Sequence, residues 1–236
     1  MNSKEALNKL YQGCVTLLGS ILNDEELQYD RIIFLGTHGT GKTTLANELS
    51  KIIGIPAVES VAREVSKDLK HLENTGVVNP YKVPDSIRKS AYQNVLCSMA
   101  FWDFMRWVNA DVPCIMTRCP LDTIAYAMAD KNVTQNIVES NLDNLKNNDV
   151  FQQAIRSSLF IYIPIEFGIE NDGVRPTDTD FQKEVDACIR NLIYDFEITP
   201  LVVTGSVEER LKSILMRLFG SQLTEALMEN YQNEHM

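Results

Sequence analysis

Residues 36–43, GTHGTGKT, follow a short apolar run and precede a helical pattern, and few folds accommodate that arrangement. The spacing of Gly36, Gly41, Lys42 and Thr43 meets the pattern GxxxxGK[ST], a loop whose backbone amides surround phosphate oxygens in the turn from a strand into a helix. Gly39 and Gly41 permit the close wrap, because a residue without Cβ adopts positive φ at little steric cost. Lys42 is expected to reach the β- and γ-phosphates of ATP, and the Thr43 hydroxyl to ligate Mg²⁺. Thr40 and Thr44 belong to the same cradle, Thr44 at the helix start where it can touch the α-phosphate. His38 lies inside the loop and is expected to offer only its backbone.

Around this loop the pattern alternates between strands and helices. Residues 31–36 (RIIFLG), 57–59, 113–118 (PCIMTR), 159–163 (LFIYI) and 200–205 (PLVVTG) read as short buried strands. Helices are predicted over 42–52, 60–72, 85–109, 121–130, up to about 196, and 207–219, with a polar, partly helical stretch over 132–148. On the long helix, Ile87, Ala91, Val95, Met99 and Trp102 recur on one side. Its aromatics Phe101, Trp102, Phe104 and Trp107 are expected to pack in the core, with an acceptor pocket or a homodimer face as alternatives. The fold class is therefore α/β, a three-layer nucleotide-binding fold with a mostly parallel five-stranded sheet. One domain is expected over 1–236, with a helical extension at 1–30, a lid at 166–180 and a helical tail at 220–236.

Ligands collect at the carboxyl ends of such strands, where Gly36, Glu59, Arg118 and Gly205 all fall. Glu59 is expected to face the γ-phosphate, where a carboxylate can take a bond or a proton from an acceptor hydroxyl. Arg63, one helical turn on, can point into the same pocket. Arg118 can hold acceptor or transferring phosphate, and Asp122 can orient either that Arg or a hydroxyl. Cys119, between them, is read as a bystander. Arg175, in the turn-rich segment 171–176, is the candidate lid cation, with Arg190 a weaker one. Gly205 would let the backbone approach the base.

Composition narrows the partners. A formal net charge of −10 argues against nucleic acid as a standing partner, since phosphate backbones select clustered Lys and Arg, yet a few placed cations still suffice for a nucleotide. The five cysteines are scattered, with no metal-ligand spacing, and are expected to be reduced. Nothing at the N-terminus reads as a signal peptide and no apolar run reaches membrane length, so a cytoplasmic protein without membrane contact is expected. No apolar strand ends in the acidic pair of a switch or motor ATPase, and the guanine-reading Asn/Thr-Lys-x-Asp sequence does not occur.

Together, residues 34–50 (FLGTHGTGKTTLANELS), 57–65 (AVESVAREV), 117–127 (TRCPLDTIAYA), 172–189 and 204–214 resemble the AAA-type ATPase family that contains the ribosylnicotinamide kinase domain and related small P-loop kinases. The resemblance covers 31 to about 216. It implies that Lys42 and Thr43 hold phosphates and metal, that Glu59, Arg63, Arg118 and Asp122 line the acceptor pocket, and that Arg175 belongs to the lid. Two positions depart from it: Thr117 stands where Asp often precedes the Arg, and Phe181 where a further Arg is expected. The implied activity is transfer of the ATP γ-phosphate to a small-molecule acceptor, a nucleoside monophosphate or a nucleoside. The alternatives are a partner-regulated ATPase and a kinase acting on nucleic acid.

Overall fold

The computed structural model describes residues 29–59, 85–110, 112–166 and 179–235. Five strands form one sheet: β1 (Arg31–Leu35), β2 (Ala57–Val58), β3 (Cys114–Met116), β4 (Ser158–Tyr162) and β5 (Leu201–Val202). Their order is β2-β3-β1-β4-β5 and every pairing is parallel, with Ile33 opposite Met116 on one side and Phe160 on the other. β1 is thus the central strand, and the loop that leaves it is flanked by the ends of β3 and β4. Parallel strands require crossovers, and the helices α1 (Lys42–Ile53), α2 (Asp85–Asn109), α3 (Pro120–Ala129), α4 (Gln135–Lys146), α5 (Asp149–Arg156) and α6 (Thr179–Asp195) lie in them, while α7 (Val207–His235) follows β5.

Alternate residues of β1 serve opposite layers, as the period of a strand dictates. Ile33 and Leu35 join a core with Phe104, Leu121, Ile124, Phe151 and Val185, beneath α2, α3, α5 and α6. Ile32 and Phe34 face the other way, toward Leu45 and Leu49 of α1 and Leu211 and Ile214 of α7. Both faces of the sheet are covered, which gives the three layers. Among the described residues no helix is long and apolar enough to cross a membrane. The described cysteines, Cys97, Cys114, Cys119 and Cys188, are free thiols.

One expectation changes at the periphery. The side of α2 that carries Ile87, Val95, Met99 and Trp102 faces outward, with Trp102 70% exposed, while Leu96, Cys97 and Phe104 make the buried side. Phe101 and Trp107 are partly buried against the core, so the aromatic cluster divides between the two sides. Residues 221–235 continue as helix and return to the body of the protein. Gly220 (φ 72°, ψ −176°) reverses the chain within α7, Met228 enters the α1 layer, and Gln232 Nε2 donates to Glu208 Oε1.

Gly220 adopts a backbone region open essentially to glycine, and a Cβ there would meet nothing within 4 Å. Gly220→Ala should therefore cost about 1–3 kcal/mol through strain alone. Chemical unfolding reads this loss; an unchanged midpoint would mean that the return of residues 221–235 contributes nothing to stability.

Candidate functional site

The phosphate loop is shaped by three glycines. Gly36 has φ +145° and a Cβ there would lie 2.6 Å from the Ile163 carbonyl oxygen, because the chain leaving β4 runs directly beside it. Gly39 (φ 79°) and Gly41 (φ 87°) are left-handed, and Gly41 is the N-cap of α1. The first amides of α1 lack intrahelical acceptors and so form, with the loop, a ready anion site. Lys42 is 5% exposed and donates to the carbonyls of Gly36 at 2.6 Å and Thr37 at 2.5 Å. Thr40 Oγ1 donates to the Thr37 carbonyl at 3.0 Å, closing the turn. Thr43 is half-buried and Thr44 exposed on the first turn of α1.

The loop is gripped from both flanks. On one, the Tyr126 hydroxyl accepts the His38 N–H at 2.9 Å and lies 2.8 Å from His38 Nδ1, while Gln182 Nε2 donates to the His38 carbonyl at 2.8 Å. His38 is buried, and its ring as well as its backbone meets Tyr126. On the other flank, buried Arg210 donates from Nη1 to the Thr40 carbonyl at 2.9 Å and from Nη2 to Glu166 Oε2 at 2.5 Å. Glu166 in turn accepts the Gly205 N–H at 3.1 and 3.0 Å. One carboxylate therefore ties the loop after β5, where Gly205 has φ +88°, to the phosphate loop.

The opposite wall comes from the ends of β2 and β3. Glu59 follows β2, and with Val58, Asp103, Met116, Arg118 and Cys119 it lines a small cleft. The structure thus brings Glu59 and Arg118 together and adds Asp103 of α2. Thr117 spends its hydroxyl on the Val58 carbonyl at 3.3 Å, so the departure at this position ties two strands together. Asp122, the third residue of α3, accepts the Cys119 N–H at 2.9 Å through Oδ2, capping its own helix. Asp122 is 0% exposed, and its Oδ1 is a buried polar atom with no hydrogen-bond partner.

Electrostatics link these groups. Burial raises the Asp122 carboxyl above its ordinary range, against the opposing pull of the Arg118 and Lys42 charges. For Arg118, burial works against the charge, but Tyr126 and Asp122 outweigh it and hold the guanidinium protonated. Burial, and then Asp122, push the Cys119 thiol well up, so its neighbour Arg118 does not activate it. Arg190 pairs with Asp186 on its own helix at 3.3 Å, and Asp186 also accepts the Tyr162 hydroxyl at 2.7 Å. Arg63 and Arg175 lie outside the described residues. Sequence reasoning missed Tyr126, Gln182, Glu166 and Arg210. Only Tyr126 carried a signal, one helical turn after Asp122 and hence on the same face of α3.

A family model described as an AAA domain matches residues 31–210. No curated protein matches the chain. Among solved structures, deoxyadenosine kinase from M. mycoides with its products dCMP and dCDP is similar at 14% identity and a TM-score of 0.51, over 86% of this chain and 97% of that one. The same kinase with bound dATP gives 16% identity and a TM-score of 0.53, over 80% and 98%. The NadR protein in complex with NAD and AMP-PNP gives 16% identity and a TM-score of 0.54 over 81% of this chain, which spans 50% of NadR. At such identities the likeness is one of fold.

Arg210 anchors both the Thr40 carbonyl and the Glu166 carboxylate, so its loss leaves two acceptors short of a donor. Arg210→Ala should lower unfolding stability by about 2–4 kcal/mol. It should also weaken nucleotide binding more than a substitution of equal cost at Leu215, which packs in the apolar core beneath α7. Calorimetry of denaturant-titrated and nucleotide-titrated protein separates the two effects.

Proposed function

Because the chain belongs to the AAA-domain family, we propose that it is a P-loop kinase that transfers the γ-phosphate of ATP to a small acceptor, a nucleoside monophosphate or a nucleoside. The observation that carries this reading is the convergence of Lys42, Arg118 and the wholly buried Asp122 at one end of the sheet. A phosphate loop alone serves hydrolysis. A buried carboxylate and a second cation opposite it supply what phosphoryl transfer to another molecule requires: charge for the moving group and a fixed place for the attacking oxygen. The fold likeness to a deoxyadenosine kinase and to NadR supports the same class.

The residues present suit Mg²⁺. This ion keeps several waters and takes one or two protein oxygens beside substrate phosphates, and no cluster of three His, Cys, Asp or Glu exists among the described residues. The Thr43 hydroxyl and Asp122, whose Oδ1 has no hydrogen-bond partner, would hold it. When bound, it would neutralise part of the phosphate charge. The chain's own groups do the rest. Lys42 and the amides around Gly39 and Gly41 bind the phosphates, with Thr40 and Thr44 completing the cradle. Arg118 takes up charge on the transferred group, and Glu59, in the cleft beside it, orients the acceptor hydroxyl. Arg63 would add a cation for a monophosphate acceptor, and Arg175 would close the lid over the γ-phosphate; both rest on the sequence.

ATP consumption with Mg²⁺ across nucleosides, nucleoside monophosphates and nicotinamide riboside, with product mass identified, tests the proposal. One acceptor should gain a phosphate far faster than background hydrolysis, and Lys42→Ala should abolish the gain. Hydrolysis that is equal with every acceptor would instead mark a partner-regulated ATPase.

Asp122 allows a second test. A carboxyl whose folded pKa is raised takes up a proton on folding, so its ionised form costs stability above the folded pKa, and that cost is relieved as the pH falls through it. At neutral pH, Asp122→Asn should therefore hold or raise the unfolding midpoint while lowering transfer by about 100-fold or more. A variant that loses stability and activity together would assign Asp122 to the scaffold.

A further inference from the structure

Tyr126 stands where three parts of the site meet, and the proposed chemistry leaves it without a task. Its oxygen lies 2.9 Å from the His38 amide nitrogen and 2.8 Å from His38 Nδ1. The amide can only donate, so the phenol accepts there and has its own proton to give to Nδ1. A neutral ring with its proton on Nε2 fits that direction, and the Thr37 hydroxyl stands 3.3 Å from the same Nδ1. On the face of the Tyr126 ring, the Arg118 guanidinium carbon stands 5.4 Å from the centroid, close enough for cation–π attraction. Phe181, three residues into α6, tilts against the same ring at 6.1 Å, and its neighbour Gln182 holds the His38 carbonyl at 2.8 Å.

We propose that Tyr126 is a positioning residue that holds the phosphate loop, through His38, and Arg118, through its ring, in one fixed relation. The proposal rests on reading the site as a kinase centre. Its physical basis is the steep dependence of transfer on alignment, where a misplacement of about 1 Å costs on the order of 100-fold. Tyr126 acts through His38 and Arg118, not on the reacting atoms. The first turn of α6 is fixed to the same point by Phe181 and Gln182, so the phosphate loop, Arg118 and α6 share one anchor.

Tyr126→Phe removes the hydroxyl and keeps the ring under Arg118. Turnover should fall about tenfold or more, with the Kd for a non-hydrolysable ATP analogue changed by less than about threefold and the thermal midpoint nearly kept. His38→Ala breaks the same linkage from its other end, so the double variant should lose no more than the worse single one. Unchanged turnover in Tyr126→Phe, or losses that multiply in the double variant, would overturn the proposal. Should wild type phosphorylate no acceptor, the kinase reading falls and the same comparison is made on ATP hydrolysis, where a tenfold loss still upholds the coupling and equal rates refute it. Nitrogen-15 spectra of the imidazole give a readout independent of turnover and of variant folding: the Nε2–H tautomer is expected at neutral pH, and an Nδ1–H ring would sink the assignment.

Discussion

The structure hangs on the contact between Gly36 and the Ile163 carbonyl, where a Cβ would lie 2.6 Å from the oxygen. β1 is the central strand, and the chain leaving it must turn into α1 in the narrow space beside the end of β4. Only a residue without a side chain passes there at φ +145°. Once it has passed, the two further left-handed glycines curl the loop around the Lys42 ammonium, and α1 begins where its free amides face the same point. The site is therefore a consequence of strand order, since a P-loop on an edge strand would lack one of its two flanking walls.

An acidic chain places three cations around its phosphate loop. The chain carries −10 overall, yet the residues around the loop include Lys42 and Arg210, both buried, and the half-buried Arg118. Each of these cations is matched locally: Lys42 by loop carbonyls, Arg210 by Glu166, Arg118 by Asp122 and the face of Tyr126. Burial without such partners would cost several kcal/mol per ion. Cations held in place by such local partners remain available to a small anion even in a chain whose overall charge is negative.

Local chemistry was legible in the sequence, and tertiary partnership was not. The strand-loop-helix of residues 31–53 could be read because glycine spacing and lysine position are imposed by the loop itself. Asp122 was legible as a residue of the Arg118 wall, since its separation of four places both near one helix start. Arg210 and Glu166 were not, because 44 residues separate them and nothing in either neighbourhood marks a pairing. The long helix α2 shows the same limit from another side. Period 3.6 correctly grouped Ile87, Val95, Met99 and Trp102 on one face, but periodicity fixes only the relative angle of side chains. Which face meets the sheet is decided by Leu96, Cys97 and Phe104, whose shapes fit the core.

The position of Tyr126 follows from the way α3 begins. Asp122 caps that helix by accepting the Cys119 N–H, and Pro120 occupies its first turn, so the rotation of α3 about its axis is set at its N-terminus. Four residues later, on the same face, the next side chain must point back over the strand ends, toward the phosphate loop. A carboxylate that faces Lys42 and a phenol that holds His38 are thus mounted on one rigid turn. Their relative placement needs no loop to maintain it, and rigid elements hold such geometry better than loops do.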